Sequence, residues 1–349
     1  MDPDYSRQIA LKSVGAAGQT RLERSRVLVV GAGGLGSPVL QYLAGAGVGW
    51  LTVIDHDTLE PSNLHRQPLY ALADAGESKA QLAVAALGKL NPRVRVESRT
   101  ERFGPANALA LVADHDLVID CSDNFRTKFL VSDAAVLARR PAVFASVYQY
   151  EGQIQVYKPD DGHACLRCLW PDATADGLVA NCAEGGVLGP VPGALGAMQA
   201  VLALEILLGI GEQLRGELLL VDFREFSTMK LRAPRNGACC APDCRLVRDI
   251  AAEDPDIEVA LRTLDEAAAR GWEIVDVRSA EEVAARPAAG THLPVAELLA
   301  GDASLSRQGA YLLVCATGKR SLAAAHALHR RGFTVRSLAG GLARLDRNR

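Results

Sequence analysis

Short apolar runs alternate with longer amphipathic stretches through the first half of the chain. Apolar runs of this length predict buried strands, and the amphipathic stretches between them predict helices. The alternation indicates βαβ units, which build a mostly parallel sheet covered by helices on both faces. The predicted strands are Arg26–Val30, Trp50–Ile54, Arg93–Glu97, Leu117–Asp120 and Ala142–Val147, and the predicted helices are Ser37–Ala46, Glu77–Leu90, Asn107–Ala113 and Arg126–Arg139.

The pattern changes after this alternation. Gly152–Tyr157 and Glu217–Asp222 are two further predicted strands. Between them, the aperiodic and Gly/Pro-rich residues 171–192 predict a long irregular loop, a type of segment that often carries function. Residues 193–208 are the most apolar stretch of the chain. Because polar side chains such as Gln199 interrupt this stretch, it predicts a buried core helix rather than a membrane span.

A second domain is predicted at the C-terminal end. Charge rises and prolines punctuate the chain before a linker at 249–257, which separates a first domain at 1–248 from a smaller α/β domain at 258–349. The smaller domain has predicted helices at Glu258–Arg270 and Ser321–Arg331 and predicted strands at Glu273–Val277, Ala310–Val314 and Phe333–Leu338.

Composition restricts the class of protein. The chain has 349 residues, 49% of them hydrophobic, and a formal net charge of −3, so it predicts globular domains and no nucleic-acid partner. The first residues show neither a basic nor an apolar segment of a secretory signal, and the expected location is the cytoplasm. In that reducing compartment, the eight cysteines are expected to be metal ligands or catalysts rather than disulfides.

A nucleotide-binding motif follows the first strand. Gly31, Gly33 and Gly36, with Gly34 between them, form a Gly-x-Gly-x-x-Gly turn between a strand and a helix. Such glycines let the backbone approach phosphate oxygens, and the helix N-terminus favours the anion. The motif predicts a Rossmann-like nucleotide-binding domain, in which Asp55 at the end of the second strand would hold ribose hydroxyls.

Further polar residues follow the strand ends of the same predicted sheet. Asn63, Arg66 and Lys79 come after the second strand, and Asp123 and Asn124 come after the fourth. Cations here suit a triphosphate, and a carboxylate suits Mg²⁺. The alternative is that Arg66 and Lys79 are solvated surface residues and that Asp123 caps a helix.

The cysteines fall into groups with different predicted roles. Cys165 and Cys168 form a C-x-x-C pair, and Cys240 and Cys244 lie in a downstream cluster that also contains Cys239. Four thiolates predict a structural zinc site, in which either Cys240, the preferred ligand, or Cys239 joins Cys244. A redox dithiol at the first pair is the alternative.

A single cysteine near the end of the chain has a different context. Cys315 follows an apolar strand and precedes a helix, and five residues separate it from Ser321. Backbone N–H groups of this loop, the helix dipole, Lys319 and Arg320 are all expected to favour the thiolate and the terminal sulfur of a persulfide.

The first domain resembles the HesA/MoeB/ThiF family, the bacterial relatives of ubiquitin-activating enzymes. The resemblance extends over about residues 4–245 and rests on Val30–Gly36, Ile54–Asp57, Ser62–Gln67 and Asp120–Asn124, supported by Tyr5–Gln8 and Glu151–Ile154. Members of this family form homodimers that adenylate the C-terminal glycine of a small β-grasp sulfur-carrier protein of the MoaD/ThiS type.

The resemblance implies a role for each matched residue. Asp55 would hold the ribose of ATP, and Asn63, Arg66 and Lys79 would contact its phosphates. Asp123 would hold Mg²⁺, and Arg7 would reach the ATP of the partner subunit. The family usually carries two C-x-x-C pairs where this chain has Cys165, Cys168, Cys240 and Cys244, although the second pair departs from that spacing here. The family also has, in its irregular loop, a cysteine that attacks or resolves the acylated carrier, a role that would fall to Cys182.

The second domain resembles the rhodaneses. The Cys315 loop, Ile274–Arg278 and Leu338–Leu342 carry this resemblance, which extends over about residues 258–346. A chain with both domains resembles the adenylyltransferase–sulfurtransferases of the MoeZ/Uba type. The resemblance implies carrier adenylation followed by sulfur transfer from a persulfide on Cys315, loaded by a cysteine desulfurase or another donor.

The resemblance leaves the pathway open among molybdopterin, thiamin, cysteine and tRNA thiolation. Two other functions also remain as alternatives. An NAD-dependent oxidoreductase with an appended domain would use the glycine loop for a dinucleotide. A non-catalytic scaffold would bind a ubiquitin-like protein without turning over ATP.

Overall fold

A computed structural model describes residues 3–159, 163–170, 186–236, 257–287, 290–300 and 305–347. These residues fall into two compact units, and the described residues up to 236 belong to the first while those from 257 onward belong to the second. The predicted linker at 249–257 lies almost entirely outside the described residues, so its boundaries stay a prediction.

The first unit contains eight strands and eight α-helices among its described residues. The helices are α1 (Ser6–Ile9), α2 (Gly15–Arg24), α3 (Gly36–Gly45), α4 (Lys79–Leu90), α5 (Pro105–Ala113), α6 (Phe125–Ala138), α7 (Leu166–Leu169) and α8 (Pro190–Leu208). The strands are β1 (Arg26–Val30), β2 (Trp50–Ile54), β3 (Arg95–Arg99), β4 (Leu117–Asp120), β5 (Ala142–Tyr148), β6 (Glu151–Tyr157), β7 (Glu217–Asp222) and β8 (Ser227–Arg232).

All eight strands form one sheet in the order β3-β2-β1-β4-β5-β6-β7-β8. The pairs from β3 to β5 are parallel, and β6, β7 and β8 add antiparallel strands at one side. The strand order reverses at β1. The chain adds β2 and β3 on one side of β1, and then crosses back and adds β4 and β5 on its other side. In sheets of this kind, ligands bind outside the carboxyl ends of the strands at such a switch point.

Two apolar cores cover the two faces of this sheet. Val27, Val29 and Leu51 belong to one core with α3 and α8, and Leu28 and Val30 belong to the other core with α6. The alternation along β1 follows from the two-residue repeat of a strand, and full burial on both sides explains its unbroken apolar sequence.

Helix α8 is long and apolar enough to cross a membrane by length and composition alone. In the structure it packs against α3, β5 and β6. Gln199, fully buried within it, donates from Nε2 to the backbone carbonyl of Asp120 at 2.9 Å. The helix therefore contributes to the core of the first unit, as its interrupted apolar pattern predicts.

The second unit is a five-stranded parallel sheet with helices. Its strands are β9 (Glu258–Val259), β10 (Glu273–Asp276), β11 (Thr291–His292), β12 (Ala310–Val314) and β13 (Thr334–Leu338), and its helices are α9 (Asp265–Ala269), α10 (Ala280–Ala285), α11 (Val295–Ala300), α12 (Lys319–Arg330) and α13 (Gly341–Arg347). The strand order is β11-β10-β12-β13-β9, which places β12 at the centre of the sheet.

One element of this unit differs from its prediction. The predicted helix at Glu258–Arg270 is wrong, because Glu258–Val259 pairs with the end of β13 as an edge strand, and helix begins only at Asp265. Local sequence does not encode a two-residue strand, since the pairing with Ser337 and Leu338 comes from a part of the chain about eighty residues away.

Candidate nucleotide and sulfur sites

The glycine loop connects β1 to α3 at the carboxyl edge of the first sheet. Gly31 has a φ of +96°, and a Cβ there would lie 2.8 Å from the carbonyl oxygen of Cys121. A Cβ on Gly36 would overlap the carbonyl oxygen of Gly31. The loop can therefore follow this path only with glycine at both positions, and the tight turn directs the first N–H groups of α3 toward the loop.

Asp55 holds this loop from the end of β2. Its Oδ2 accepts a hydrogen bond from the N–H of Ala32 at 2.8 Å, and its Oδ1 accepts one from the N–H of Asp57 at 2.8 Å. Burial raises the pKa of Asp55, while these two N–H groups and the charge of Lys79 act in the opposite direction. The predicted ribose ligand is thus also a structural support of the glycine loop.

The predicted phosphate ligands lie close to this edge. Lys79, at the start of α4, is only 6% exposed, and its Nζ lies 3.2 Å from Oδ2 of Asp57. The interpretation of Lys79 as a solvated surface residue is therefore wrong. Arg66 is half-buried and donates from Nη1 to the carbonyl of Ser62 at 3.1 Å, and its backbone oxygen would lie 3.4 Å from a Cβ on Gly34.

Asn63 and Asn124 each stabilise a helical turn. Oδ1 of Asn63 accepts from the N–H of Glu60 at 3.2 Å, and Oδ1 of Asn124 accepts from the N–H of Thr127 at 2.8 Å as the N-cap of α6. The cap that the sequence analysis considered for Asp123 belongs to Asn124, and Asp123 lies exposed one residue before it. Contacts of Asn63, Asp123 and Asn124 with a nucleotide stay predictions.

Two features at this edge of the sheet were not among the predicted site residues. Gln67 is 3% exposed, its Oε1 has no hydrogen-bond partner, and its Nε2 would lie 3.5 Å from a Cβ on Gly33. An unsatisfied buried acceptor beside the glycine loop is the type of group that a bound ligand satisfies. The signal in the sequence was its position directly after Arg66.

The second feature is a buried ion pair under the end of β4. The Nζ of Lys128 contacts Oδ2 of Asp120 and donates to the carbonyl of Ala145 at 2.7 Å, and the Asp120 side chain is fully buried. Lys128 lies inside α6, where an isolated lysine shows no pattern in the sequence. Its contact fixes α6 and its N-terminal cap against the sheet.

Arg7 does not take part in this arrangement within one chain. It is exposed on α1, and none of the hydrogen bonds or ion pairs described for this chain connects it to the glycine loop. Its predicted role across a subunit interface stays a prediction.

The C-x-x-C pair lies around the short helix α7. The Sγ atoms of Cys165 and Cys168 are 3.7 Å apart, and the N–H of Asn236 donates to Sγ of Cys168 at 3.4 Å. A disulfide requires about 2.05 Å, whereas two thiolates on a tetrahedral zinc with bonds of about 2.3 Å lie about 3.8 Å apart. The spacing fits a shared metal. Cys240 and Cys244, with Cys239 and the isolated Cys182, lie outside the described residues.

Hydrogen bonds to α6 hold the segment that contains Cys165 and Cys168 in place. Arg167, between the two cysteines, donates from Nε and Nη2 to the carboxylate of Asp133 on α6 at 2.7 and 2.6 Å. The N–H of Leu166 donates to Oγ of Ser132 at 3.2 Å. Because both partners lie on α6, the cysteine pair is fixed to the same helix that begins at the nucleotide edge.

Cys315 lies at the carboxyl end of the central strand of the second unit. Its Sγ accepts from the N–H of Gly318 at 3.2 Å, from the N–H of Ser321 at 3.4 Å and from Oγ of Ser321 at 3.5 Å. The cysteine is fully buried. We call Cys315–Ser321 the sulfur cradle. Its donors are arranged to stabilise negative charge on sulfur, as the sequence predicts.

Helix α13 supports the sulfur cradle through backbone hydrogen bonds. The N–H groups of Leu342 and Ala343 donate to the carbonyls of Cys315 and Ala316 at 2.9 and 3.0 Å. Gly341 has a φ of +62°, and a Cβ there would lie 2.5 Å from the carbonyl oxygen of Cys315. Glycine at position 341 is thus required by close approach to the sulfur cradle.

The prediction of how Arg320 acts on Cys315 is wrong in part. The sequence predicts that Arg320 raises the positive potential at Cys315, but the structure pairs its guanidinium with the carboxylate of Glu282 at 2.7 and 2.6 Å. This ion pair offsets the charge of Arg320. The side chain of Lys319 lies outside the described residues.

Comparisons with known proteins match both units of the chain. The family model of the ThiF family matches residues 5–241, and the model of the rhodanese-like domain matches residues 259–347. The sulfur carrier protein adenylyltransferase of Thermus thermophilus is 50% identical over 239 residues, which cover 67% of this chain and 88% of that protein.

Two further proteins extend the comparison. The probable adenylyltransferase/sulfurtransferase MoeZ of Mycobacterium tuberculosis is 37% identical over an alignment of 356 positions, which covers 97% of this chain and 91% of that protein. The crystal structure of E. coli MccB with ATP has a TM-score of 0.56 and 22% identity, and the match covers 66% of this chain and 68% of that one. This last similarity concerns the fold.

The fold and the two sites define an enzyme that joins adenylyl transfer to sulfur transfer. The chain belongs to the ThiF family and carries a C-terminal rhodanese-like domain. The α/β fold predicted from the sequence is confirmed, and the family decides against the NAD-dependent oxidoreductase.

Proposed function

We propose that the chain uses ATP to adenylate the C-terminal glycine of a ubiquitin-like sulfur-carrier protein and then delivers sulfur from Cys315 to give the carrier thiocarboxylate. The observation that carries this proposal is the cradle of N–H donors around Cys315, in a chain whose other unit is an adenylyltransferase. A thiolate in such a cradle can carry a sulfane sulfur, and an acyl-adenylate is the electrophile that would accept it.

In the first step, a carboxylate oxygen of the carrier attacks the α-phosphorus of ATP, and pyrophosphate leaves. The chain contributes positioning and positive charge. The Gly31–Gly36 loop offers N–H groups to the phosphates, and Arg66 and Lys79 offset charge on the leaving pyrophosphate. Asp55 would hold the ribose while it supports the loop through Ala32.

Magnesium fits the acidic groups at this edge. Asp123 lies at the carboxyl end of β4, and we assign it as the magnesium ligand because Mg²⁺ is held by few carboxylates together with substrate phosphates. Bound there, the ion would neutralise phosphate charge. Asp55, His56 and Asp57 also cluster after the end of β2, where Lys79 already pairs with Asp57.

In the second step, the terminal sulfur of a Cys315 persulfide attacks the carbonyl carbon of the acyl-adenylate, and AMP leaves. The product is an acyl disulfide between the carrier and Cys315. A thiolate of Cys182 would then attack Sγ of Cys315 and release the thiocarboxylate, leaving a disulfide for an external thiol to reduce. Alternatively, Cys182 first holds the carrier as a thioester. We propose a cysteine desulfurase or a similar donor as the source of the persulfide.

Three further features belong to the same proposal. Zinc would be held by Cys165, Cys168, Cys240 and Cys244 as a structural ion, supported by the 3.7 Å sulfur spacing. A homodimer would let Arg7 act on the partner's ATP, and the half-exposed Val201 of the apolar helix α8 favours such an interface (57% exposed). The expected location is the cytoplasm.

The test uses the full chain, MgATP and a recombinant β-grasp carrier that ends in Gly-Gly. Wild type should exchange labelled pyrophosphate into ATP only with the carrier, and intact mass should show the thiocarboxylate after a sulfur donor is added. The variant Cys315→Ala should keep the exchange and lose the thiocarboxylate. Sulfur transfer by that variant at the wild-type rate would refute the role of Cys315.

A second variant separates an enzyme from a non-catalytic scaffold. Asp123→Ala should abolish the exchange, because the magnesium-bound triphosphate would lose its carboxylate. Asp114→Ala is the matched control, since Asp114 is an exposed aspartate just before β4, at the other end of the same strand, where it pairs with Arg26. Carrier binding without exchange in the wild type itself would favour the scaffold.

A further inference from the structure

The ion pair between Glu282 and Arg320 joins the sulfur cradle to a separate helix. Arg320 is the residue before Ser321 in the cradle, and Glu282 lies in the first turn of α10. Both nitrogen atoms Nη1 and Nη2 donate to the two carboxylate oxygens, at 2.7 and 2.6 Å. Two parallel contacts of this kind fix the plane and direction of a guanidinium.

Glu282 is itself held in place by its helix. Ser279 and Glu282 form a capping box, in which the N–H of Ser279 donates to Oε2 of Glu282 at 2.9 Å. The hydrogen bond from Arg320 is the largest of the effects that lower the pKa of Glu282, to about 2, so the carboxylate is charged at neutral pH. The partner of Arg320 is therefore held in place and anionic at neutral pH.

Without this partner, the guanidinium would be within reach of the sulfur. Arg320 directly precedes Ser321, whose N–H lies 3.4 Å from Sγ of Cys315. An arginine side chain is long enough to turn from this position toward the cradle opening. The two residues that follow Cys315, Ala316 and Thr317, are uncharged. Lys319 and Arg320 are the two cationic residues of the cradle sequence. The part of the positive charge that Arg320 offers to an incoming donor depends on whether Glu282 engages it.

We propose that Glu282 is a specificity-determining residue of the sulfur cradle. By holding Arg320 away from Cys315, it makes the cradle favour sulfane donors of low charge, such as a persulfide, over small dianions such as thiosulfate. This inference rests on the proposed role of Cys315 as the sulfur carrier.

The two classes of donor differ in charge at the step of transfer. The Cys315 thiolate attacks the outer sulfur of thiosulfate, the sulfur–sulfur bond breaks, and sulfite leaves with the electron pair. A persulfide donor transfers its terminal sulfur in the same way and leaves as a thiolate. Thiosulfate brings two negative charges to the thiolate and a persulfide brings one, so an available guanidinium assists the dianion more.

The variant Glu282→Gln tests this assignment. Glutamine also serves in a capping box, so the helix keeps its cap while Arg320 loses its anionic partner. With cyanide as acceptor, we expect the KM for thiosulfate to fall roughly tenfold and the KM for the monoanion benzenethiosulfonate to change much less. Glu281→Gln is the matched control, because Glu281 is an exposed glutamate next in sequence and its loss changes the net charge equally.

A double variant keeps the test decisive if the single variant does not fold. In Glu282→Gln with Arg320→Gln, both charges are absent, and the KM for thiosulfate should equal that of wild type. A rise of tenfold or more would mean that Arg320 already binds the donor and would overturn the proposal. An unchanged KM in folded Glu282→Gln would also overturn it.

Failure of the proposed function gives a different result. In that case, mass spectrometry of wild type would show no sulfur added to Cys315 by either donor, and Cys315→Ala would form thiocyanate as fast as wild type. The effect of charge on KM is measured only in variants whose Cys315 accepts sulfur. Failure of the specificity proposal can therefore be distinguished from failure of the proposed function.

Discussion

Two glycine positions in the nucleotide loop are fixed by contact. Gly36 begins α3, and its missing side chain leaves room for the carbonyl of Gly31. The variant Gly36→Ala must open the turn, a distortion of about 1–3 kcal/mol. We expect ATP binding to weaken by about 10- to 100-fold, measured by calorimetry, with the fold retained.

The control for this prediction is Gly88→Ala. Gly88 lies in the exposed part of α4, and a Cβ there meets nothing within 4 Å. Alanine is a better helix former than glycine, so this variant should stabilise the protein by about 0.5–1 kcal/mol and leave ATP binding unchanged. Equal ATP affinity in both variants would contradict the assignment of the loop.

The pair of Glu282 and Arg320 also predicts a dependence of stability on pH. The folded pKa of Glu282, about 2, lies below its ordinary value of 4.5. A depressed folded pKa stabilises the second unit above pH 4.5, and this contribution is lost as the pH falls from about 4.5 toward 2. Thermal unfolding of Glu282→Gln should show a weaker loss across this window than unfolding of wild type. Parallel curves would show that the pair contributes no stability.

At the scale of elements, helix α7 depends on α6 for its position. Arg167 and Asp133 are both nearly buried, with side-chain exposures of 12% and 4%. Replacing Arg167 with Met leaves a buried aspartate without its cation, and we expect a loss of about 3–5 kcal/mol in the free energy of unfolding. Urea titration measures this loss, and chelator competition should show weaker zinc retention.

Two further variants control for the loss of a charge in general. Arg93→Met removes an exposed arginine whose Nη2 lies 4.0 Å from Glu23, and it should cost less than about 1 kcal/mol. Adding Asp133→Leu to Arg167→Met should recover much of the stability, because the aspartate that lost its cation is then removed as well. A double variant as unstable as the single one would assign the loss to packing.

The sequence predicted the parallel strands better than the elements whose partners are distant. Strands β1, β2 and β4 lie at their predicted positions, because burial on both faces gives an apolar run that periodicity detects. Strand β8 was not predicted, because all six of its residues are exposed at the sheet edge and its apolar alternation is limited to Met229 and Leu231. The edge strand at Glu258–Val259 failed for a related reason.

The candidate sites also contain some residues that local sequence predicts and others that depend on distant partners. Gly31, Gly36 and Cys315 were predicted because a turn or a reactive group requires one residue type at one place. The pairing of Arg320 with Glu282, and that of Lys128 with Asp120, depend on how elements pack, so the sequence alone gave no indication of them.

At the scale of the whole molecule, each unit has its own apolar core. Leu313 is fully buried on β12 in the second unit. We expect calorimetry to resolve two transitions, and Leu313→Ala should destabilise one of them by about 2–5 kcal/mol. The other transition, and carrier-dependent pyrophosphate exchange, should not change. A shift of both transitions together would show that the units unfold cooperatively.

The contact of α13 with the cradle makes sulfur delivery sensitive to proteolysis near the C-terminal end. A cut after the exposed Gly340 would separate from the chain the amides that hold the carbonyls of Cys315 and Ala316. The reactive loop would then lose its support from behind, although every residue of Cys315–Ser321 would remain. Limited digestion would then abolish sulfur transfer by Cys315 and leave the adenylation activity unchanged. Detection of an unmodified Cys315 by mass spectrometry would therefore not show that the enzyme still transfers sulfur.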